Sequence, residues 1–106
     1  MAVLEAMSHN TPCLLSSACN IRSAFTSGAA IKAEPDPLKL SIALKNLFSM
    51  NDYELGVMSL AAHNLVRENF SWDTVTSLCS DVYEWMLDRS RPRPRAFNWI
   101  EDISNL

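Results

Sequence analysis

Glu5 is the carboxylate whose position most suggests chemistry. It falls in the first turns of a helix read over Met1 to Ser8, which leads into the short apolar run Cys13-Leu14-Leu15. In open α/β sheets, ligands bind beside the carboxyl ends of the strands, where helix N-termini attract phosphate. A carboxylate there suits hydrogen bonding to sugar or ribose hydroxyls. The plain alternative is an exposed glutamate favoured by the helix dipole. Met1, Ala2 and Val3 open this helix with no capping side chain ahead of them, so its first amides need a ligand or a preceding loop. The expectation is a chain that begins inside a domain.

The remaining reactive residue types point to less. His9 and His63 lack the mutual spacing or neighbouring carboxylates of a metal site or a triad, and His63 reads as a surface or boundary residue of a long helix. Cys13, Cys19 and Cys79 are an odd set with no CxxC pair, which supports neither zinc nor a disulfide framework. No metal and no bound cofactor are expected. Ser16, Ser17 and Asn20 follow a strand end, where they either meet a ligand or form an ordinary turn. Phe70, Trp72 and Trp85 sit at helical positions and read as core rather than as a stacking platform. Arg89, Arg91, Arg93 and Arg95 surround Pro92 and Pro94, the pattern of an extended, solvated connector. Its functional alternative is attraction to anionic lipid headgroups, at about 1 kcal/mol per basic residue near the surface.

The elements that must position these residues follow from patterning. Asn10 suits the left-handed position after the first helix, and Pro12 stops it. Cys13 to Leu15 and Ala29 to Ala33 read as two short strands, the first buried on both faces, with a polar turn over Ser16 to Asn20 and a short helical turn over Ile21 to Phe25 between them. Gly28 supplies a permissive backbone before the second strand. Strand, short helix, strand in this order predicts parallel pairing in an α/β sheet. Three long helices follow. Asp36-Pro37 caps the first, with Leu40, Ala43, Leu44 and Leu47 as its stripe. Asn51 and Glu54 form a capping box ahead of Leu55, Met58, Ala62, Leu65 and Val66. Ser71 caps the third, with Trp72, Val75, Leu78 or Cys79, Val82 and Met86 on one side. Phe97, Trp99, Ile100, Ile103 and Leu106 outline a short terminal helix.

Composition bounds the function classes. The 106 residues are 48% hydrophobic and 20% charged, which fits one modest domain and excludes a disordered chain. Nine Lys and Arg against twelve Asp and Glu give a net charge of −3 and no overall basic field for nucleic acid. No apolar run approaches the roughly 18–20 residues of a membrane span, and MAVLEAMSHN has no positive n-region of a signal peptide. A cytoplasmic location is expected, with the arginines permitting a peripheral position at the inner face of the membrane.

The segment MAVLEAMSHNTPCLLSSACNIRSAF, Met1 to Phe25, resembles the donor-binding half of retaining GT-B glycosyltransferases of the "glycosyl transferases group 1" family. Members of that family run through E-G-L-P-M-A-V-L-E-A-M-A-x-G-x-P-V-L and then a loop of the C-N-L-P-E-G-F kind. Phe70-Ser71-Trp72 and the run Val82-Tyr83-Glu84-Trp85-Met86-Leu87 are similar to its C-terminal helices. The similarity covers most of residues 1–87. It implies a partial Rossmann-like α/β fold over 1–87 and a connector with a terminal helix over 88–106.

It also implies a donor site. Glu5 matches the second glutamate of the family's paired motif, which holds the ribose of a nucleotide sugar, and the first lies eight positions earlier in the pattern. Met1, Ala2 and Val3 match the helix start that presents amides to the donor diphosphate. Asn10 stands where the family has Gly, and Ile21-Arg22-Ser23 where it has L-P-E. The implied activity is sugar transfer with retention. The partner would be the N-terminal GT-B domain, toward whose surface Phe97, Trp99 and Ile100 would be directed. The chain alone is expected to be inactive, lacking an acceptor domain and one motif glutamate. The competing expectations are a noncatalytic helical interaction module and a truncated reading frame without a role of its own.

Overall fold

The computed structural model describes residues 1–97, and they form a mixed α/β chain that is mostly helical with two short parallel strands. It divides into two compact units, Met1 to Glu68 and a second from Asn69 onward.

In the first unit, α1 (Ala2–Ser8) leads to β1 (Cys13–Leu15), a 3-10 turn (Ser17–Cys19), α2 (Arg22–Thr26) and β2 (Ala30–Lys32). The strands pair in parallel, with Cys13 opposite Ala30, Leu14 opposite Ile31 and Leu15 opposite Lys32. Parallel strands cannot be joined by a tight turn. The crossover between them is the 3-10 turn plus α2, as the strand–helix–strand reading expects.

Both short helices end by the same device. After α1 the Asn10 N–H donates to Met7 C=O and the Thr11 N–H to Ala6 C=O, both at 3.1 Å. After α2 the Gly28 N–H donates to Phe25 C=O and the Ala29 N–H to Ala24 C=O, at 3.3 and 2.9 Å. Each pair closes a Schellman motif around one left-handed residue. That residue is Asn10 (φ 59°) before β1 and Gly28 (φ 74°) before β2. Asn20 (φ 56°) is a third left-handed position, at the end of the 3-10 turn.

Helices α3 (Pro37–Ser49) and α4 (Asp52–Asn69) complete this unit. The Asp36 carboxylate accepts from the Lys39 N–H at 2.9 Å, with Pro37 at the first helical position. Asn51 and Glu54 form the reciprocal capping box, at 2.8 Å and 3.0 Å. The core comprises Met7, Cys13, Leu15, Met58 and Leu65 with Ala24, Ala29, Ala33, Ala43 and Ala62. Met7 is the one large side chain fully enclosed among the described residues. Because half of these ten residues are alanines, the interior joins backbones at close approach and removes little apolar area per residue. The first strand is less enclosed than its apolar run suggests: Cys13 and Leu15 are buried but Leu14 between them is half-buried. Lys32 takes β2 out to solvent.

In the second unit, α5 (Trp72–Leu87) starts at Ser71, whose hydroxyl accepts from the Thr74 N–H at 3.2 Å. The sequence stripe needs correction here. Trp72 is 80% exposed and Met86 58% exposed, and Cys79 also faces solvent. The half-buried row is Val75, Leu78, Val82 and Trp85. Apolar residues cover more of this helix than one face can bury, so the pattern fixed the helix but not which row turns inward. Trp99, Ile100, Ile103 and Leu106 lie outside the described residues.

The caps give a direct test. Nothing lies within 4 Å of a Cβ added at Gly28, so Gly28→Ala costs only its left-handed backbone, about 1 kcal/mol. Asn10→Gly removes the same penalty and raises stability. Urea unfolding midpoints of the two variants are expected to shift in opposite directions.

Candidate functional site

The first amides of α1 are built as the sequence implies. Met1 occupies the N-cap position with no side-chain cap, and the first helical bond is Glu5 N–H to Met1 C=O at 3.0 Å. The N–H groups of Ala2, Val3 and Leu4 precede that bond. Met1 is 92% exposed, Ala2 is exposed and Val3 is half-buried. Glu5 is exposed, and its carboxylate takes no hydrogen bond or ion pair among the described residues. A tight turn after His9 joins α1 to β1.

A separate polar group forms just beyond the carboxyl ends of β1 and β2. Ser17 donates its hydroxyl to both oxygens of Glu34, at 3.4 and 3.3 Å. Lys32 lies 3.7 Å from Glu34 and 5.9 Å from the centre of the Phe25 ring. Ser17 was one of the two sequence readings, ligand contact or turn, and its hydroxyl is engaged within the fold. Glu34 carries no local signal: its partner is seventeen residues earlier and meets it only because β1 and β2 pair in parallel. Beside this group an open groove of about 450 Å³ lies between β2 and α3, lined by Lys32, Glu34, Lys39, Ile42 and Asn46 among others. It includes none of Met1, Ala2, Val3 and Glu5.

His63 takes the boundary position that its sequence reading allowed. It is half-buried, and its Nδ1 lies 3.1 Å from the Ser8 carbonyl. A carbonyl oxygen only accepts, so Nδ1 carries the proton. The bond ties α4 to the end of α1. His9 is exposed. Among the described residues no group of three or more His, Cys, Asp or Glu could hold a metal ion. Burial pushes the Cys13 thiol pKa up, which keeps it protonated, and the thiol donates to Thr11 C=O.

The arginine segment departs most from its sequence reading as a solvated connector. It doubles back on α5. Asp88 accepts both the N–H and the hydroxyl of Ser90, at 3.0 and 2.6 Å, and the Arg91 N–H returns to Asp88 C=O. The Arg91 guanidinium pairs with Glu84 and lies 4.0 Å from Asp88. Arg89 stacks 3.8 Å above the Trp85 ring, and Phe97 meets the same ring edge-on at 5.3 Å. Arg93 stands 5.7 Å from the Phe97 ring, and Pro94 is buried. A 3-10 turn over Arg95 to Phe97 closes this strap. The sequence shows charges and prolines but not their partners, because each contact depends on two turns in succession. Of the four arginines, Arg95 is the one with no ion pair or ring contact among the described residues.

No family model, no curated protein and no solved structure matches this chain. No helix among the described residues is long and apolar enough to cross a membrane.

The strap makes a pH prediction. The hydrogen bonds from Ser90 hold the Asp88 carboxyl below the usual aspartate value. A depressed folded-state value means the contribution is present above the unfolded value and lost as pH falls through the folded one. In a Trp72→Phe, Trp99→Phe background, Trp85 fluorescence is expected to report the strap opening below the ordinary aspartate range. Ser90→Ala moves that midpoint up, and Asp88→Asn removes the corresponding step.

Proposed function

We propose that the chain contributes the ribose- and diphosphate-binding corner of a nucleotide-sugar donor site, within a retaining GT-B glycosyltransferase of the group 1 family. The carrying observation is Glu5: an exposed carboxylate with no partner among the described residues, one turn after uncapped helix amides, in the segment Met1 to Phe25 that resembles the family's donor motif. In this reading Glu5 accepts hydrogen bonds from ribose hydroxyls, and the amides at Ala2 and Val3 meet the diphosphate. A parallel strand pair is what a piece of a larger doubly wound, Rossmann-like sheet would contribute. The donor sugar would be met by the motif's other glutamate, and the acceptor by a separate GT-B domain.

Retaining transfer of this kind needs charge stabilisation at the departing diphosphate and fixed placement of donor against acceptor. The start of α1 supplies part of the first requirement and none of the second. The chain alone therefore binds without turning over.

A second reading, a noncatalytic helical interaction module, is favoured by a different observation: α5 leaves Trp72, Tyr83, Met86 and Leu87 in solvent. Lipid attraction through Arg89, Arg91, Arg93 and Arg95 is the weakest reading. Arg89 and Arg91 are held against Trp85 and Glu84, which ties down charge that a headgroup would have to recruit.

Titration with nucleoside diphosphates, followed by amide shifts, separates these readings. The donor-site reading expects shifts at Ala2, Val3 and Glu5, with affinity reduced roughly tenfold by Glu5→Ala, the loss of about one charge-assisted hydrogen bond. A 2′,3′-dideoxy diphosphate is expected to bind equally to wild type and Glu5→Ala. Shifts confined to residues after Asn69 would sink the donor-site reading. Transfer or donor hydrolysis by the purified chain would contradict its inactivity alone.

A further inference from the structure

Between α5 and the arginine strap lies an open cavity of about 280 Å³ whose wall is mostly charged. Helix α5 contributes Asp81 and Glu84, three residues apart and so on one side of the helix. The strap contributes Arg91 to Arg95, with Pro92 and Pro94 as the apolar part of the wall. The volume falls just below the roughly 300–1,000 Å³ of pockets for drug-sized ligands, which suits a smaller molecule.

The charges in this wall are not all answered by one another. The Glu84 carboxylate is taken by the Arg91 guanidinium, which also reaches Asp88. Arg93 stands against the Phe97 ring. Asp81 and Arg95 remain: neither side chain takes a hydrogen bond, ion pair or ring contact among the described residues, although both line the same cavity. The strap backbone holds the base of Arg95 in place. Pro92 and Pro94 fix their own φ angles, Pro94 is buried, and the Phe97 N–H donates to Pro94 C=O at 3.1 Å. Phe97 in turn is seated on Trp85. The half-buried Asp81 thus faces a cavity that also holds an unanswered guanidinium. An anion alone would meet Arg95 but also two carboxylates, and a cation alone would meet Asp81 but also three guanidiniums. Three arginines against two carboxylates nearly balance, which favours a ligand carrying one charge of each sign.

We propose that this cavity binds a small amino acid zwitterion, its ammonium donating to the Asp81 carboxylate and its carboxylate accepting from the Arg95 guanidinium. The guanidinium fork matches the two oxygens of a carboxylate, and the compact ammonium suits a single carboxylate partner. The site is open to water, so binding is weak and screened by salt. The proposal does not depend on the donor-site reading, since none of its residues belongs to the first unit.

The test titrates the full chain with glycine, β-alanine and 4-aminobutyrate, which carry the same two charges on spacers of increasing length, and follows amide shifts. One member of the series is expected to bind with a Kd of about 1 mM, shifting Asp81, Glu84, Arg93 and Arg95 and weakening as salt rises. Its N-acetyl derivative, which lacks the ammonium, and its methyl ester, which lacks the carboxylate, are each expected to bind at least fivefold more weakly. Asp81→Asn is expected to weaken the zwitterion but not the N-acetyl derivative, and Arg95→Gln to weaken the zwitterion but not the ester, both with unchanged far-UV circular dichroism. If no member of the series binds more tightly than about 10 mM, the proposal fails. It fails equally if the N-acetyl derivative or the ester binds as well as the zwitterion, a comparison made on the wild-type chain and so independent of how the variants fold. Shifts confined to residues outside the cavity wall would also overturn it.

Discussion

The parallel register of β1 on β2 is the constraint on which the first unit depends. Three residues on each strand form the ladder, and two strands alone bury too little to persist in water. The ladder therefore needs helices on it, and each helix must be aimed by what precedes the strand. Asn10 and Gly28 do this in the same way, turning the chain through a left-handed residue so that α1 enters β1 and α2 enters β2 at similar geometry. Small residues fill the interior: Ala24 and Ala29 flank the second cap, and Ala43 and Ala62 are buried on α3 and α4. The fold is thus held more by backbone closure at two caps than by large interlocking side chains.

This arrangement also explains which parts were legible in the sequence. Features that depend on neighbours within one or two turns were readable: the Asp36-Pro37 start, the Asn51/Glu54 box, the Ser71 cap and the left-handed Asn10 are each a local exchange of hydrogen bonds. The order of strand, turn and short helix was readable because a parallel pair requires a crossover. What could not be read needs two distant segments at once. Glu34 meets Ser17 only through strand pairing, and His63 meets the Ser8 carbonyl only after α4 has folded back on α1. The strap is the sharpest case. Alternating Arg and Pro normally describe a chain that extends away, yet the turn at Asp88 to Arg91 reverses it, and Trp85 supplies a ring for Arg89. On α5 the apolar pattern located the helix, while the presence of two rows left Trp72 and Met86 on the wrong side of the expectation.

The candidate site is legible to a smaller degree, and the two glutamates near the sheet show why. Glu34 lies just beyond β2, on the face of it a better-placed carboxylate than Glu5, since it follows directly from a strand end. Its charge is already answered by the Lys32 ammonium and the Ser17 hydroxyl. A ligand hydroxyl would have to displace them, and exposed pairs of this kind return little energy when broken or made. Glu5 has the opposite character. Its local support is only its own backbone, through the bond to Met1 C=O and the Ser8 hydroxyl that returns to Glu5 C=O at 2.6 Å. Its carboxylate takes no hydrogen bond or ion pair among the described residues, and it follows the first amides of α1 by one turn. A ribosyl diphosphate offers both: hydroxyl donors for the carboxylate and anionic oxygens for the amides. In the donor site we propose, one ligand would answer both groups without displacing anything already bonded.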